Sequence, residues 1–138
     1  MTQLQLAFTV QNNVEHGELL ILEISGSLLN LGFRTKLKGY IYSKEAIYYY
    51  TRLDVVRSIN AEVYSQIAYK YGVSAASVER AIKKSIEDTW YNKQFNCNHE
   101  LLRCASINSK YPPTNAEFIA TMAELIRLKA RKERLYNS

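Results

Sequence analysis

The sequence predicts an all-α fold, a six-helix domain containing a helix-turn-helix. Three observations carry this expectation. Apolar residues recur at helical spacing in six segments, and helix breakers are scarce, with five Gly and two Pro in 138 residues. A short Gly-containing connection also joins two amphipathic segments near the middle of the chain, which is how a helix-turn-helix reads in sequence.

The first segment is expected from Glu15 to Leu31, where Leu19, Leu20, Leu22, Ile24, Leu28 and Leu29 cluster at helical spacing and Gly32 stands at the C-terminal cap position. Ahead of it, Leu4, Leu6, Phe8 and Val10 alternate weakly, so residues 1–14 are expected to be an N-terminal arm, a short strand or a loose terminus, and 15–138 the domain. A break is expected over Gly32 to Tyr42, after which Ser43 can cap a second helix through Ala46, Ile47, Tyr50 and Leu53. Its Tyr48-Tyr49-Tyr50 run spreads over about 200° of the helix cylinder, so the three rings cannot all face the core.

Two further helices are expected at about Ala61 to Tyr71 and Ala75 to Trp90, and a fifth at about Asn98 to Ile107 with Leu101, Leu102 and Ala105 on one face. Lys110-Tyr111-Pro112-Pro113 cannot continue a helix, and Thr114-Asn115-Ala116-Glu117 has the form of a capping box that starts a last one. That helix places Phe118, Met122, Leu125 and Ile126 on one face. It ends in Arg127, Lys129, Arg131, Lys132 and Arg134, which suit the negative pole of the helix dipole as well as they suit phosphate.

Composition narrows the function. A chain of 138 residues, 47% hydrophobic and 22% charged, is long enough to bury a core unaided. The first residues carry no basic stretch leading into a long apolar one, and no segment reaches the roughly 20 apolar residues of a membrane span, so a cytoplasmic location is expected. Cys97 and Cys104, seven apart on one expected helix, lie beyond disulfide reach at about 10 Å. With only His16 and His99 beside them, neither a metal nor a cofactor site is expected. Eighteen Lys and Arg against thirteen Asp and Glu leave a formal charge of +5, compatible with a polyanionic partner without naming one.

The segment Tyr64 to Ile82 is more specific. Ile67, Tyr71, Val73, Val78, Ala81 and Ile82 are the apolar positions a tight helical corner must bury, and Ala68 is small where the second helix should cross the first. Gly72 can take the left-handed conformation that ends one helix, and Ser74 can cap the next. If Val78, Ala81, Ile82, Ile86 and Trp90 form the inner stripe of the second helix, then Glu79, Arg80, Lys83, Lys84 and Glu87 project outward. Arg80 can grip guanine bidentately and Glu79 can accept from a cytosine amine. The competing reading is a solvated face on which Lys83 and Glu87 pair at i, i+4.

These residues resemble the C-terminal effector domain of the master response regulator of sporulation initiation in endospore-forming bacteria. The likeness runs from about Leu28 to Leu128, through Lys38-Gly39-Tyr40-Ile41-Tyr42, Ile67-Ala68-Tyr69-Lys70-Tyr71, Ser77-Val78-Glu79-Arg80-Ala81-Ile82-Lys83, Ile86-Glu87 with Trp90, and Pro113-Thr114-Asn115-Ala116-Glu117-Phe118-Ile119-Ala120. The resemblance implies that the helix 75–90 enters the major groove of double-stranded DNA, that Glu79 and Arg80 read bases, and that flanking polar and basic positions meet phosphates. Here those positions are Lys38, Ser74, Ser77, Lys83, Lys84 and Arg131. It further implies a box resembling TGTCGAA, with dimers on tandem boxes and RNA polymerase as further partners. The chain departs from the family at Lys83 and Lys84, where Arg and His are more usual. About fourteen residues precede helix one where the family carries a phosphoacceptor receiver domain, which puts control by aspartyl phosphorylation in doubt.

The alternative is an adaptor or anti-regulator that keeps the fold and acts on RNA polymerase or a related regulator. A pure adaptor needs neither Glu79 nor Arg80. An enzyme finds no support in paired carboxylates, a phosphate-cradling glycine loop, or a nucleophile beside a histidine.

Overall fold

A computed structural model describes residues 2–92 and 111–137. The helix expected at Asn98 to Ile107, with Cys97, His99 and Cys104, lies outside the described residues. Those described are all-α: α1 (Gln3–Leu31), α2 (Lys38–Thr51), a π-helical turn (Asn60–Tyr64) running into α3 (Ser65–Tyr71), α4 (Ala75–Tyr91) and α5 (Asn115–Asn137). Helix α2 lies at the centre, packed most extensively on α4 and α5 and also on α1.

Helix α1 starts twelve residues earlier than expected, because Thr2 and Gln5 form a capping box. The Gln5 amide donates to the Thr2 hydroxyl (3.2 Å) and the Thr2 amide to Gln5 Oε1 (2.9 Å). The alternation that suggested a strand marks no buried face, since Leu4 and Leu6 are both exposed. The helix ends at Gly32, as expected. Ile24, Leu28 and Leu31 then anchor it in the core, and Phe33 stacks on Phe118 of α5 with centroids 5.3 Å apart.

Helix α2 also starts early, at Lys38 rather than after Ser43. Ser43 is fully buried inside the helix and caps nothing. The glycine at 39 serves a close approach of α2 to α4: a Cβ there would lie 2.2 Å from the Ala81 carbonyl oxygen and 2.0 Å from Ser85 Oγ. All three tyrosines of the 48–50 run are half-buried, so they share the rim instead of dividing into core and surface.

The far end of α2 is closed by α5. Arg127 donates to the carbonyls of Tyr50 (2.9 Å) and Leu53 (3.0 Å), so this member of the basic run is committed to protein. Leu53 itself falls beyond the helix. Arg127→Met removes both charge-assisted bonds and leaves two part-buried carbonyls without them, which is expected to cost about 1.5–3 kcal/mol in urea unfolding. Glu124, 3.9 Å from Arg127 and largely exposed, should by contrast tolerate Glu124→Gln within about 0.5 kcal/mol.

Entry to the π-helical turn is held by Glu62, whose carboxylate accepts from the amides of Arg57 (2.7 Å) and Ser58 (2.9 Å). These two bonds, that to Ser58 foremost, lower its pKa below the ordinary carboxylate value. The cap of α5 forms in altered detail: the Glu117 amide donates to the Thr114 hydroxyl (3.2 Å), while the Glu117 carboxylate accepts from that hydroxyl (3.0 Å).

Candidate functional site

The turn between α3 and α4 is built as its residues dictate. Gly72 adopts φ 66°, a left-handed conformation costly for any residue with a Cβ, and its amide returns to the Ala68 carbonyl. Val73 donates to the same oxygen (3.0 Å), and the Ser74 hydroxyl accepts from the Ser77 amide (3.0 Å), opening α4. Ile67, Ala68, Val78 and Ile82 are buried at the corner, whereas Tyr71 is exposed and Val73 only half-buried.

The inner stripe of α4 is Val78, Ile82, Ser85, Ile86 and Thr89. Ala81 and Trp90, expected in that stripe, are half-buried, and two hydroxyl residues complete it instead. Ser85 faces Gly39, and Thr89 donates to the Ser85 carbonyl (2.7 Å), so its hydroxyl is satisfied within the helix. Opposite this stripe Glu79, Arg80, Lys83 and Lys84 are all exposed, as expected. Glu87 is half-buried, with Lys83 4.0 Å away at i, i+4 in a solvated pair of little energetic weight.

A chain of polar contacts runs along the first two turns of α4. Ser74 and Ser77 hydroxyls are 2.9 Å apart, and the Arg80 guanidinium donates to Ser77 Oγ (3.3 Å). Arg80 is thereby drawn toward the positive end of α4, beside the two serines. Lys38 is exposed at the start of α2, next to the glycine that touches the middle of α4.

Arg131 is not brought to this cluster. Helix α5 touches α4 at its start, where Asn115 Nδ2 donates to the Glu79 carbonyl (2.9 Å). Sixteen residues later along the helix, Arg131 is about 24 Å away, in a groove with His16, Leu20 and Thr51.

Three residues position α4 through contacts distant in sequence, which no local pattern reveals. Gly39 sets its distance from α2, Asn115 ties its N-terminal half to α5, and Arg34 lies 3.6 Å from Asp88 near its other end. Helix α3 is fastened to α2 through Lys70, whose ammonium donates to the Glu45 carboxylate; that bond chiefly raises the Lys70 pKa. Tyr69 beside it is 92% exposed, a large aromatic with no packing role in the described fold.

Among the described residues no group of three His, Cys, Asp or Glu could hold a metal, and no helix is long and apolar enough to cross a membrane. Compared with known families, the chain matches the family described as sporulation initiation factor Spo0A C terminal, over residues 24–126. The matched span takes in the last turns of α1, the whole of α2 to α4, and α5 as far as Ile126.

Proposed function

Since this chain belongs to the Spo0A C-terminal family of DNA-binding transcription regulators of sporulation initiation, we propose that it is a sequence-specific regulator that lays α4 in the major groove of double-stranded DNA. The observation that carries this reading is the exposure of Glu79, Arg80, Lys83 and Lys84 on the face of α4 turned away from Val78, Ile82 and Ile86. A helix so placed on a helix-turn-helix offers its N-terminal half to base edges. Glu79 and Arg80 read bases, in a box resembling TGTCGAA, while Lys38, Ser74, Ser77, Lys83 and Lys84 meet flanking phosphates.

Arg131 contacts phosphate only on DNA that extends or bends past the footprint of α4. Tandem boxes would seat two molecules side by side, and RNA polymerase is a further partner on promoter DNA in the cytoplasm.

The test is a gel shift of the 138-residue chain on box and scrambled duplexes across a salt series, without a phosphodonor. Box preference is expected. With Lys38, Lys83 and Lys84 neutralising three phosphates, log K should fall with log salt at a slope of about −3. A flat salt dependence with no preference for the box would make a protein, as in the adaptor reading, the better partner.

A further inference from the structure

Helix α1 carries two apolar faces. One, with Ile24, Leu28 and Leu31, is fully buried against the rest of the domain. The other is built from Leu19, Leu22, Gly26 and Leu29, spaced i, i+3, i+7 and i+10. That is the seam of a coiled coil, with residues 19 and 26 at the first core position of the heptad and 22 and 29 at the second. Leu19, Leu22 and Leu29 are 64%, 67% and 48% exposed, and a Cβ on Gly26 would meet nothing within 4 Å. Nothing in the described domain requires a glycine there, although an exposed glycine inside a helix costs about 1 kcal/mol relative to alanine.

We propose that this seam pairs with the same seam of a second copy, antiparallel about a two-fold axis near residue 24, so that the chain forms a dimer without DNA. The register follows from the spacing. Antiparallel helices set first core positions against second ones, and a single alignment matches all four seam residues: Leu19 on Leu29 of the second copy, and Leu22 on Gly26 of the second copy. In each central layer the largest side chain meets the smallest, which lets the backbones approach closely. Every contact occurs twice, as an isologous interface requires.

Charge selects the orientation. Residues 1–33 contain no Lys or Arg. A parallel pair would place Glu18 of each copy beside Glu23 of the other, two like-charge contacts across the flanks. The antiparallel pair makes one such contact instead of two, between the two Glu23 side chains, on the flank where each has Lys129 of α5 at 3.3 Å. On that flank Leu19 and Leu22 also continue into a groove shared with Ile126 and Ala130 of α5, so the apolar surface is broader than one helix. Leu19 and Leu22 precede the family match, which begins at residue 24, and the inference does not depend on the DNA-binding reading.

The experiment is sedimentation equilibrium of the full chain without DNA. It should yield a reversible dimer of twice the 15.9 kDa chain mass, and Leu22→Glu should weaken it by more than about tenfold. Leu22 is exposed, so circular dichroism should be unchanged. Orientation is read by a spin label carried on an unnatural side chain at position 11. The antiparallel register separates the two labels by 26 residues of helix rise, about 39 Å, whereas a parallel pair brings them within about 10–15 Å. A wild-type chain that stays monomeric at its solubility limit overturns the proposal. So does a dimer indifferent to Leu22→Glu, or one with a short label distance.

Discussion

Gly39→Ala is expected to destabilise this protein strongly, although it adds a single methyl group. The added Cβ would stand 2.0 Å from Ser85 Oγ, 2.7 Å from Ser85 Cβ and 2.2 Å from the Ala81 carbonyl oxygen. The serine hydroxyl can rotate, but the carbonyl belongs to the backbone of α4 and can retreat only if the helix does. Moving α4 by the ångström or so required would open the packing of Val78, Ile82 and Ile86, each essentially inaccessible to solvent. Overpacking a tight core costs about 1–3 kcal/mol and occasionally more, and here the rigid partner puts the cost at or above the top of that range. For a domain of this size the melting temperature should fall by roughly 10 °C.

Two companions make the cause testable. Ser85→Gly in the Gly39→Ala background removes the side-chain clash and leaves the carbonyl, so it should recover only part of the loss. Gly26→Ala, on an open face of α1, should raise helix stability by up to about 1 kcal/mol when measured at concentrations where the chain is monomeric. If Gly39→Ala melted like wild type, the close α2–α4 crossing would be wrong.

That crossing also explains where sequence reading succeeded and where it failed. The corner at Gly72-Val73-Ser74 and the span of α4 were legible because their determinants are local: a glycine free to turn left-handed, a serine one residue before the helix, and an apolar stripe. The last residue of α4 differs by one from the expected Trp90. The start of α2 was misplaced because Gly39 reads locally as a breaker and Ser43 as a cap. The real role of Gly39 depends on a helix about forty residues further along the chain, and Ser43 is buried within α2. Ser85 lies on the inner stripe of α4 by periodicity, seven residues after Val78 and three after Ile82, and only its polarity argued against burial, whereas Ala81 falls at the edge of the stripe. At the N-terminus a legible signal was outweighed, since Thr2-x-x-Gln5 is a capping box but the alternating leucines beside it pointed to a strand. The candidate site residues on α4 were legible from the helix's amphipathicity. Arg127 and Arg131 could not be told apart, because only the packing of α5 against the end of α2 shows which of them is already engaged.

Arg80→Ala is expected to separate reading from anchoring on α4. Arg80 is exposed, one turn beyond Ser77, and its guanidinium already rests on the Ser77 hydroxyl at 3.3 Å. That contact restricts the side chain to the N-terminal end of the helix, where base edges would lie. It is a single, long, solvent-exposed bond to a hydroxyl, which a bidentate guanine contact can replace with gain. Truncation should therefore cost about 1–3 kcal/mol of affinity for the box and relax preference at one base pair, while the protein's melting temperature stays unchanged. Lys84, exposed a turn further along, should behave differently. Lys84→Ala is expected to weaken box and scrambled duplexes alike and to reduce the salt slope by about one, as loss of a phosphate contact requires. The Ser77→Ala variant adds a control on geometry. Without the Ser77 hydroxyl, one phosphate contact and the tether to Arg80 are both lost but Arg80 keeps its charge, so affinity should fall by less than in Arg80→Ala and the base preference should survive. Should Arg80→Ala discriminate between box and scrambled duplex as well as wild type does, base reading does not reside in this arginine. The exposed face of α4 would then be better understood as a surface for a protein partner.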